Sequence, residues 1–112
     1  MKSMDNLEIL TKAIQLQKPI SFEYNAPKHV VGKRYGNPYA VYIDVGTNNI
    51  LMDIYRTSGA QTPPIKKPLP DWKRYLVDYL SEIKVLEEEN SFEIRHDYKP
   101  NSPRYAKSLV KI

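Results

Sequence analysis

The strongest constraint on the fold is an alternating stretch, residues 38–55, with one polar turn at its centre. Apolar and polar residues alternate with a period of two on both sides of the turn, which predicts two strands. The turn, residues 46–49 (GTNN), tolerates positive φ and predicts a hairpin. One face would carry Tyr39, Val41, Ile43 and Val45, with Ala40, Tyr42 and Asp44 opposite; after the turn, Ile50, Met52 and Ile54 would face away from Leu51, Asp53 and Tyr55.

The first part of the chain predicts a helix followed by a strand. Asp5 and Glu8 have the spacing of a capping box, and a helix over residues 5–17 would place Leu7, Leu10 and Ile14 on one face. Pro19 ends this pattern. Residues 20–24 then alternate as a half-buried strand with Ile20, Phe22 and Tyr24 on one side. Gly32 and Gly36 mark bends or bulges before the hairpin.

The second half of the chain is harder to assign. Residues 58–71 hold four of the nine prolines and two lysines, and we expect a surface connector, with a polyproline-type ligand for a partner as the alternative. Residues 68–90 fit a helix capped by Asp71 by their periodicity, but they also fit two short strands. Prolines predict a loop in the tail, residues 96–112, whose end can form a short strand or a helical turn.

Composition limits the classes of function. The 112 residues fit one domain, and the net charge of +4 permits an anionic partner without requiring one. There are no cysteines and only two histidines, so we expect no disulfide, metal site or cofactor. No apolar run approaches bilayer length and no signal-peptide pattern opens the chain, so we expect a cytoplasmic protein without a membrane partner. No nucleophile elbow, phosphate loop or dinucleotide fingerprint occurs, and we expect no enzyme activity.

The order of several short motifs resembles the WYL-domain family. These motifs are "KAIQLQKPISFEYN", "NPYAVYI", "NNILMDIYRTSG", "LPDWKRYLVDYLSEIKVLEEENSF" and "DYKPNSPRYAKSLVKI", which together cover nearly the whole chain. The resemblance implies a mainly β domain with an N-terminal helix and a small, strongly bent Sm/SH3-like barrel over residues 19–95. It also implies a strand at residues 73–77, a helical turn near residues 79–81 and a strand at residues 83–87, against the helical periodicity.

Two departures from the family pattern concern its recognition motifs. The Trp-Tyr-Leu triplet is replaced by Asn49-Ile50-Leu51, and the Asp-Arg-Ile ending of the family is replaced by Asp78-Tyr79-Leu80. We also expect no helix-turn-helix before the WYL-like region, in contrast to the transcriptional regulators of the family.

The resemblance implies ligand sensing through basic and aromatic residues. Arg74, which matches the family arginine after Trp72, is the first candidate for an anion-binding fork, and a surface ion pair with Asp71 or Asp78 is the alternative. Arg34 and Arg56 are further anion candidates, although solvated charges at a strand edge are the simpler interpretation. Trp72 could stack on a ligand or plug the core. Two tyrosines could line a pocket, and we expect Tyr24 in the core and leave Tyr55 open.

Two functions follow from these candidates. The first is a non-enzymatic ligand-binding or regulatory module for an anionic ligand, either a single-stranded nucleic acid or a nucleotide. The alternative is a protein-interaction or assembly subunit, including a homo-oligomer, that uses an exposed sheet edge and a tyrosine-rich surface.

Overall fold

The computed structural model describes residues 2–112, with side chains from Asp5 onward. Helix α1 spans Lys2–Leu16, so Asp5 lies in its first turn and the predicted capping box is wrong. The helix ends in a left-handed turn at Gln17, whose φ is 54°. There the amide of Lys18 donates to the carbonyl of Ala13 at 2.9 Å and that of Gln17 to Ile14 at 3.1 Å, the pattern of a Schellman cap.

Six antiparallel strands follow the helix. They are β1 Ile20–Tyr24, β2 Arg34–Ile43, β3 Ile50–Gly59, β4 Asp71–Leu76, β5 Leu80–Val85 and β6 Ser108–Lys111. Short 3₁₀ helices lie at Val77–Tyr79 and Pro103–Tyr105. The predicted hairpin is confirmed as β2 and β3, and the Asp44 carboxylate accepts hydrogen bonds from the Thr47 amide and hydroxyl, both at 2.9 Å, inside its turn.

The ambiguous segment forms two strands joined by a helical turn, as the family resemblance implied. The helix that the periodicity favoured is not formed. The pattern resembles a helix because the 3₁₀ turn Val77–Tyr79 interrupts the alternation of the strands. Buried residues then recur every third position, at Val77, Leu80 and Ile83, a spacing that an amphipathic helix shares.

The sheet is open. Its strand order is β4-β3-β2-β1-β5, with β6 paired to β2. The first half of β2 pairs with β1 and its second half with β6, so one long strand serves two neighbours on the same side. Among residues 2–112, β4 pairs only with β3 and β5 only with β1, so the sheet is not closed into the predicted barrel.

Two core clusters lie on opposite faces of the hairpin. The first packs α1 against the sheet and includes Leu10, Ile14, Phe22, Met52 and Ile54. Asn6 fixes the helix there, because its buried amide donates to the carbonyls of Val77 at 3.1 Å and Leu80 at 2.9 Å. The second cluster is aromatic and consists of Tyr39, Ala40, Tyr42, Leu51, Tyr98 and Tyr105.

Two sequence predictions about tyrosines are wrong. Tyr39 packs in the same cluster as Ala40 and Tyr42, because the β2–β3 register shifts between Pro38 and Ala40, and such a bulge re-aims one side chain. The expected tyrosine-rich surface is not present either, since Tyr79 is the exposed exception and six others are buried: Tyr24, Tyr39, Tyr42, Tyr75, Tyr98 and Tyr105.

Within the described chain, no helix is long and apolar enough to span a membrane.

Candidate anion-binding site

Two clefts flank strand β4. Side chains alternate between the two faces of a strand. Trp72 and Arg74 therefore lie on the face of the aromatic cluster. Lys73 and Tyr75 lie on the face that packs on α1. Arg74 lies opposite Asp53 on β3, and Tyr75 lies opposite Met52. We call the cleft of about 420 Å³ around Arg34 and Arg56 the basic cleft, and the cleft of about 390 Å³ over Asp53 the Asp53 cleft.

The deep wall of the basic cleft contains two buried arginines. Arg34 at the start of β2 is 2% exposed and Arg56 near the end of β3 is 1% exposed. Both therefore lie inside the protein, and the interpretation of these residues as solvated edge charges is wrong. They come together because β2 and β3 pair along their full length, which brings Arg34 opposite Gly59.

Arg56 is held by neutral acceptors. Its Nε donates to the carbonyl of Tyr35 at 3.1 Å, and its Nη2 donates to the carbonyls of Ser58 at 2.7 Å and Ala60 at 2.9 Å. Its Nη1 donates to the hydroxyl of Tyr75 at 2.7 Å. Burial lowers the pKa of this guanidinium, because desolvation penalises the charged form.

Arg34 is less completely satisfied. Its Nη2 donates to the carbonyl of Val30 at 3.0 Å and to the Thr62 hydroxyl at 3.4 Å, and its Nη1 donates to the Tyr75 hydroxyl at 3.4 Å. Its guanidinium also lies 5.8 Å from the ring centres of both Tyr24 and Tyr75. The Nε of Arg34 is buried and has no hydrogen-bond partner within the described part of the chain, so part of this donor set is unused.

No carboxylate balances these two charges among the residues with described side chains. The ion pairs there are Lys12–Glu87, Arg74–Asp53, Arg95–Asp97 and Arg104–Asp53, and none involves Arg34 or Arg56. A buried charge without an opposite charge is costly. The rim adds more cations, Lys66, Lys67, Lys73 and Arg74, and no Asp or Glu lines the cleft.

The Asp53 cleft is built differently. Asp53 is 4% exposed, and both of its oxygens are occupied. Oδ1 accepts from the Tyr42 hydroxyl at 2.8 Å and from Arg74 Nε at 3.3 Å. Oδ2 accepts from the Tyr105 hydroxyl at 2.7 Å and from Arg104 Nη1 at 3.1 Å. Each carboxylate oxygen therefore has two partners, and Asp53 is a structural anchor for the C-terminal segment.

Burial and the nearby carboxylate shape the tyrosines of this cleft. Burial, with the hydrogen bond to Asp53 second, raises the pKa of both Tyr42 and Tyr105 far above the ordinary value. Burial also raises the pKa of Tyr98 to about 12. The three phenols are therefore neutral donors or packing groups at physiological pH. Asp53, already satisfied by four donors, is poorly placed to accept a proton from a substrate.

The structure distributes the predicted site residues over both clefts. Arg34, Arg56 and Arg74 all line the basic cleft, and Arg74 also reaches the Asp53 cleft. Its ion-pair partner is Asp53 rather than the predicted Asp71 or Asp78. Trp72 lines the Asp53 cleft, where its indole donates to Asp97 at 3.0 Å.

The two predicted tyrosines do not line either cleft. Tyr24 is buried, as expected, and its hydroxyl accepts from the amide of Leu76 at 3.1 Å. Tyr55 is half-buried beside Trp72, with the guanidinium of Arg95 4.2 Å from its ring centre. Tyr24 and Tyr55 therefore pack behind the residues that line the clefts.

Sequence reasoning missed several residues of the basic cleft. Tyr75 is the most important, because its hydroxyl joins the two buried guanidiniums. The alternation in "DWKRY" could have placed it on the face opposite Arg74. The sequence predicts Lys66 and Lys67 in a surface connector, whereas the structure places them on the rim of the basic cleft.

Comparison with known proteins shows a shared fold. No protein-family model and no curated protein matches the chain. Among solved structures, Proteasome accessory factor B/C (PafBC) of Arthrobacter aurescens aligns with a TM-score of 0.63 and 15% identity, over 85% of this chain. The present chain spans 13% of the length of that chain. At this identity the likeness concerns the fold alone, and it supports the WYL-like fold that the sequence motifs implied.

Proposed function

We propose that this protein is a non-enzymatic binding module that takes an anionic ligand in the basic cleft. One observation carries the proposal: Arg34 and Arg56 are buried to 2% and 1% exposure and have no carboxylate partner among residues 5–112. An anion in the cleft would supply the missing opposite charge. Guanidinium groups present a planar set of donors that suits phosphate and carboxylate.

The cleft is prepared for such a ligand before it arrives. Three backbone carbonyls and the Tyr75 hydroxyl hold Arg56 in place, so little side-chain freedom remains to be lost on binding. The four rim cations are more exposed and would attract an anion from solution. This division favours a nucleotide or the phosphate of a single-stranded nucleic acid as the ligand.

Titration of the protein with labelled single-stranded DNA and with a mononucleotide tests the proposal. Fluorescence anisotropy and calorimetry at about 50 mM and then about 200 mM salt would reveal phosphate contacts by a loss of affinity. We expect saturable binding to at least one of these ligands, weakened at least tenfold by Arg34→Met. Arg95→Met is the matched control, because Arg95 pairs with Asp97 outside the basic cleft. The absence of binding to both ligands at the lower salt would overturn the proposal.

We further infer a regulatory role of the WYL type. The likeness to PafBC supports this role through the fold alone, and the basic cleft supports it through its charge. In such a role, the ligand would be a signal rather than a substrate, which agrees with the satisfied state of Asp53.

A second candidate function is assembly through a sheet edge. Among the described residues, β5 pairs only with β1, so its other edge is unpaired, and unpaired edges invite strand addition. Light scattering across a range of protein concentrations tests this function. A strict monomer that captures no partner chain would count against it.

A further inference from the structure

The hydroxyl of Tyr75 occupies an unusual position between two positive charges. It accepts a hydrogen bond from Arg56 Nη1 at 2.7 Å and a longer one from Arg34 Nη1 at 3.4 Å. Among residues 5–112, no acceptor takes the proton of this hydroxyl. A phenol has one proton to donate and two lone pairs, so Tyr75 keeps its proton available for a ligand oxygen in the basic cleft, which it lines.

The charges of the cleft set the charge of the ligand. Two guanidiniums lie in its buried wall, and none of the described residues that line it is a carboxylate. A ligand group with one negative charge would balance only one of them. A group with two negative charges would balance both, and a phosphate monoester carries nearly two above its second pKa of about 6.

The burial of the arginines sets the shape of the ligand. Only 2% of Arg34 and 1% of Arg56 is exposed, so a ligand touches them through a small opening. A phosphate within a nucleic-acid chain carries a substituent on each side, so the chain would have to pass both into and out of the opening. A terminal phosphate carries one substituent, which can remain outside while its free oxygens reach the wall.

We propose that the basic cleft selects a terminal phosphate monoester over an internal phosphodiester. The two buried guanidiniums balance its charge, and Tyr75 is the specificity-determining residue that donates to one of its oxygens. This inference rests on the proposed anion-binding function and narrows it to a class of ligand. A mononucleotide or the phosphorylated end of a nucleic acid provides such a group.

Three adenine compounds test the selection with one base and one sugar. Calorimetry on the intact protein would compare adenosine 5′-monophosphate, adenosine 3′,5′-cyclic monophosphate and adenosine. We expect the monoester to bind at least tenfold more tightly than the cyclic diester, and adenosine to bind more weakly still. A single-stranded oligonucleotide with and without a 5′-phosphate then distinguishes a nucleic-acid end from a free nucleotide as the source.

The dependence on pH tests the charge of the ligand. Lowering the pH from about 7.5 to about 5 converts a monoester to a monoanion, and we expect its affinity to fall. Inorganic sulfate keeps two negative charges over this pH range, so the affinity of the protein for sulfate should not fall. His29 also lines the cleft, and a positive charge on its imidazole would strengthen the binding of every anion. Because sulfate would experience the same effect, the sulfate measurement is the control for His29. The remaining ionisable groups of the cleft are Arg34, Arg56, Lys66, Lys67, Lys73, Arg74 and Tyr75.

A variant pair tests the role of Tyr75. Tyr75→Phe should lower the affinity for the monoester about tenfold, as expected for one hydrogen bond to a charged group, and should affect the diester less. Tyr79→Phe is the matched control, because Tyr79 is exposed and lies outside both clefts. A thermal melt of each variant separates loss of binding from loss of folding.

The outcomes separate this inference from the proposed function. Equal affinity for the monoester and the cyclic diester in the unaltered protein would overturn the inference and leave anion binding intact. No affinity for any phosphate compound, for sulfate or for single-stranded DNA would overturn both. Because the comparison of ligands uses the unaltered chain, it stands even if Tyr75→Phe fails to fold.

Discussion

The two clefts beside β4 place arginines in opposite circumstances. In the Asp53 cleft, Arg74 and Arg104 share one buried carboxylate, and their own side chains remain 45% and 50% exposed. In the basic cleft, Arg34 and Arg56 are buried themselves, and no carboxylate with a described side chain pairs with them. The first arrangement balances charge within the fold and ties the C-terminal segment to β3. The second leaves a positive charge that a ligand can balance. If the proposed function holds, burial alone does not make an arginine structural, and the presence or absence of a counter-charge within the fold decides its role.

Removing the counter-charge of the Asp53 cleft should have the largest effect. Asp53→Asn would leave two arginines and two buried tyrosines with a neutral partner, and we expect a loss of about 3–5 kcal/mol in the free energy of unfolding. Urea denaturation followed by circular dichroism measures it. Asp97→Asn is the control at an exposed carboxylate of the same cleft and should change stability little. An equally small effect at Asp53 would contradict the anchoring role.

The second-largest effect should come from high pH, which should destabilise the folded protein through the tyrosines of the Asp53 cleft. The folded-state pKa values of Tyr42, Tyr98 and Tyr105 are raised, while the unfolded chain releases these protons near pH 10. The unfolded state then binds fewer protons, so stability is complete below about pH 10 and falls above it, by about 1.4 kcal/mol per pH unit for each tyrosine. Denaturation midpoints at about pH 8, 10 and 11 test this, and Tyr105→Phe should flatten the decline.

Removing a charge from the basic cleft should have a different consequence. Arg34→Met removes a buried charge that lacks a counter-charge, so we expect stability to stay within about 1 kcal/mol of the parent, or to rise. Anion affinity should fall at least tenfold. Arg104→Met, in the other cleft, should show the reverse pattern, with lower stability and unchanged anion affinity. Thermal melts and calorimetry on both variants distinguish the two patterns. If Arg34→Met lost as much stability as Asp53→Asn, Arg34 would be structural.

The rim of the basic cleft should give the smallest effect. Lys66→Gln removes one exposed cation, and we expect affinity for single-stranded DNA to fall only a few-fold. The slope of affinity against salt should fall by about one. Lys107→Gln is a control at an exposed lysine away from the cleft. A change in affinity without a change in slope would show that Lys66 does not contact phosphate.

The sequence allowed much of the fold to be predicted but only part of the site. The β2–β3 hairpin and β1 follow from local alternation and turn residues, which need no tertiary information. The predicted barrel is not closed, because closure depends on the pairing of β4 with β5, and no local pattern encodes that pairing. The burial of Arg34 and Arg56 was missed because arginine is rarely buried without a partner, so each residue taken alone indicates the surface. Only the pairing of β2 with β3 and the position of Tyr75 bring them together.

The surroundings of Trp72 give the protein an internal optical reporter. The chain has one tryptophan, and the rings of Tyr39, Tyr55 and Tyr98 have their centres 4.7, 5.3 and 6.3 Å from it. Light absorbed by these tyrosines should pass efficiently to the indole, so its emission reports on the whole aromatic cluster. The next residues along β4, Lys73 and Arg74, line both clefts. A ligand that shifts this strand should therefore change the emission of the natural chain, and its occupancy could be followed in real time without an attached dye.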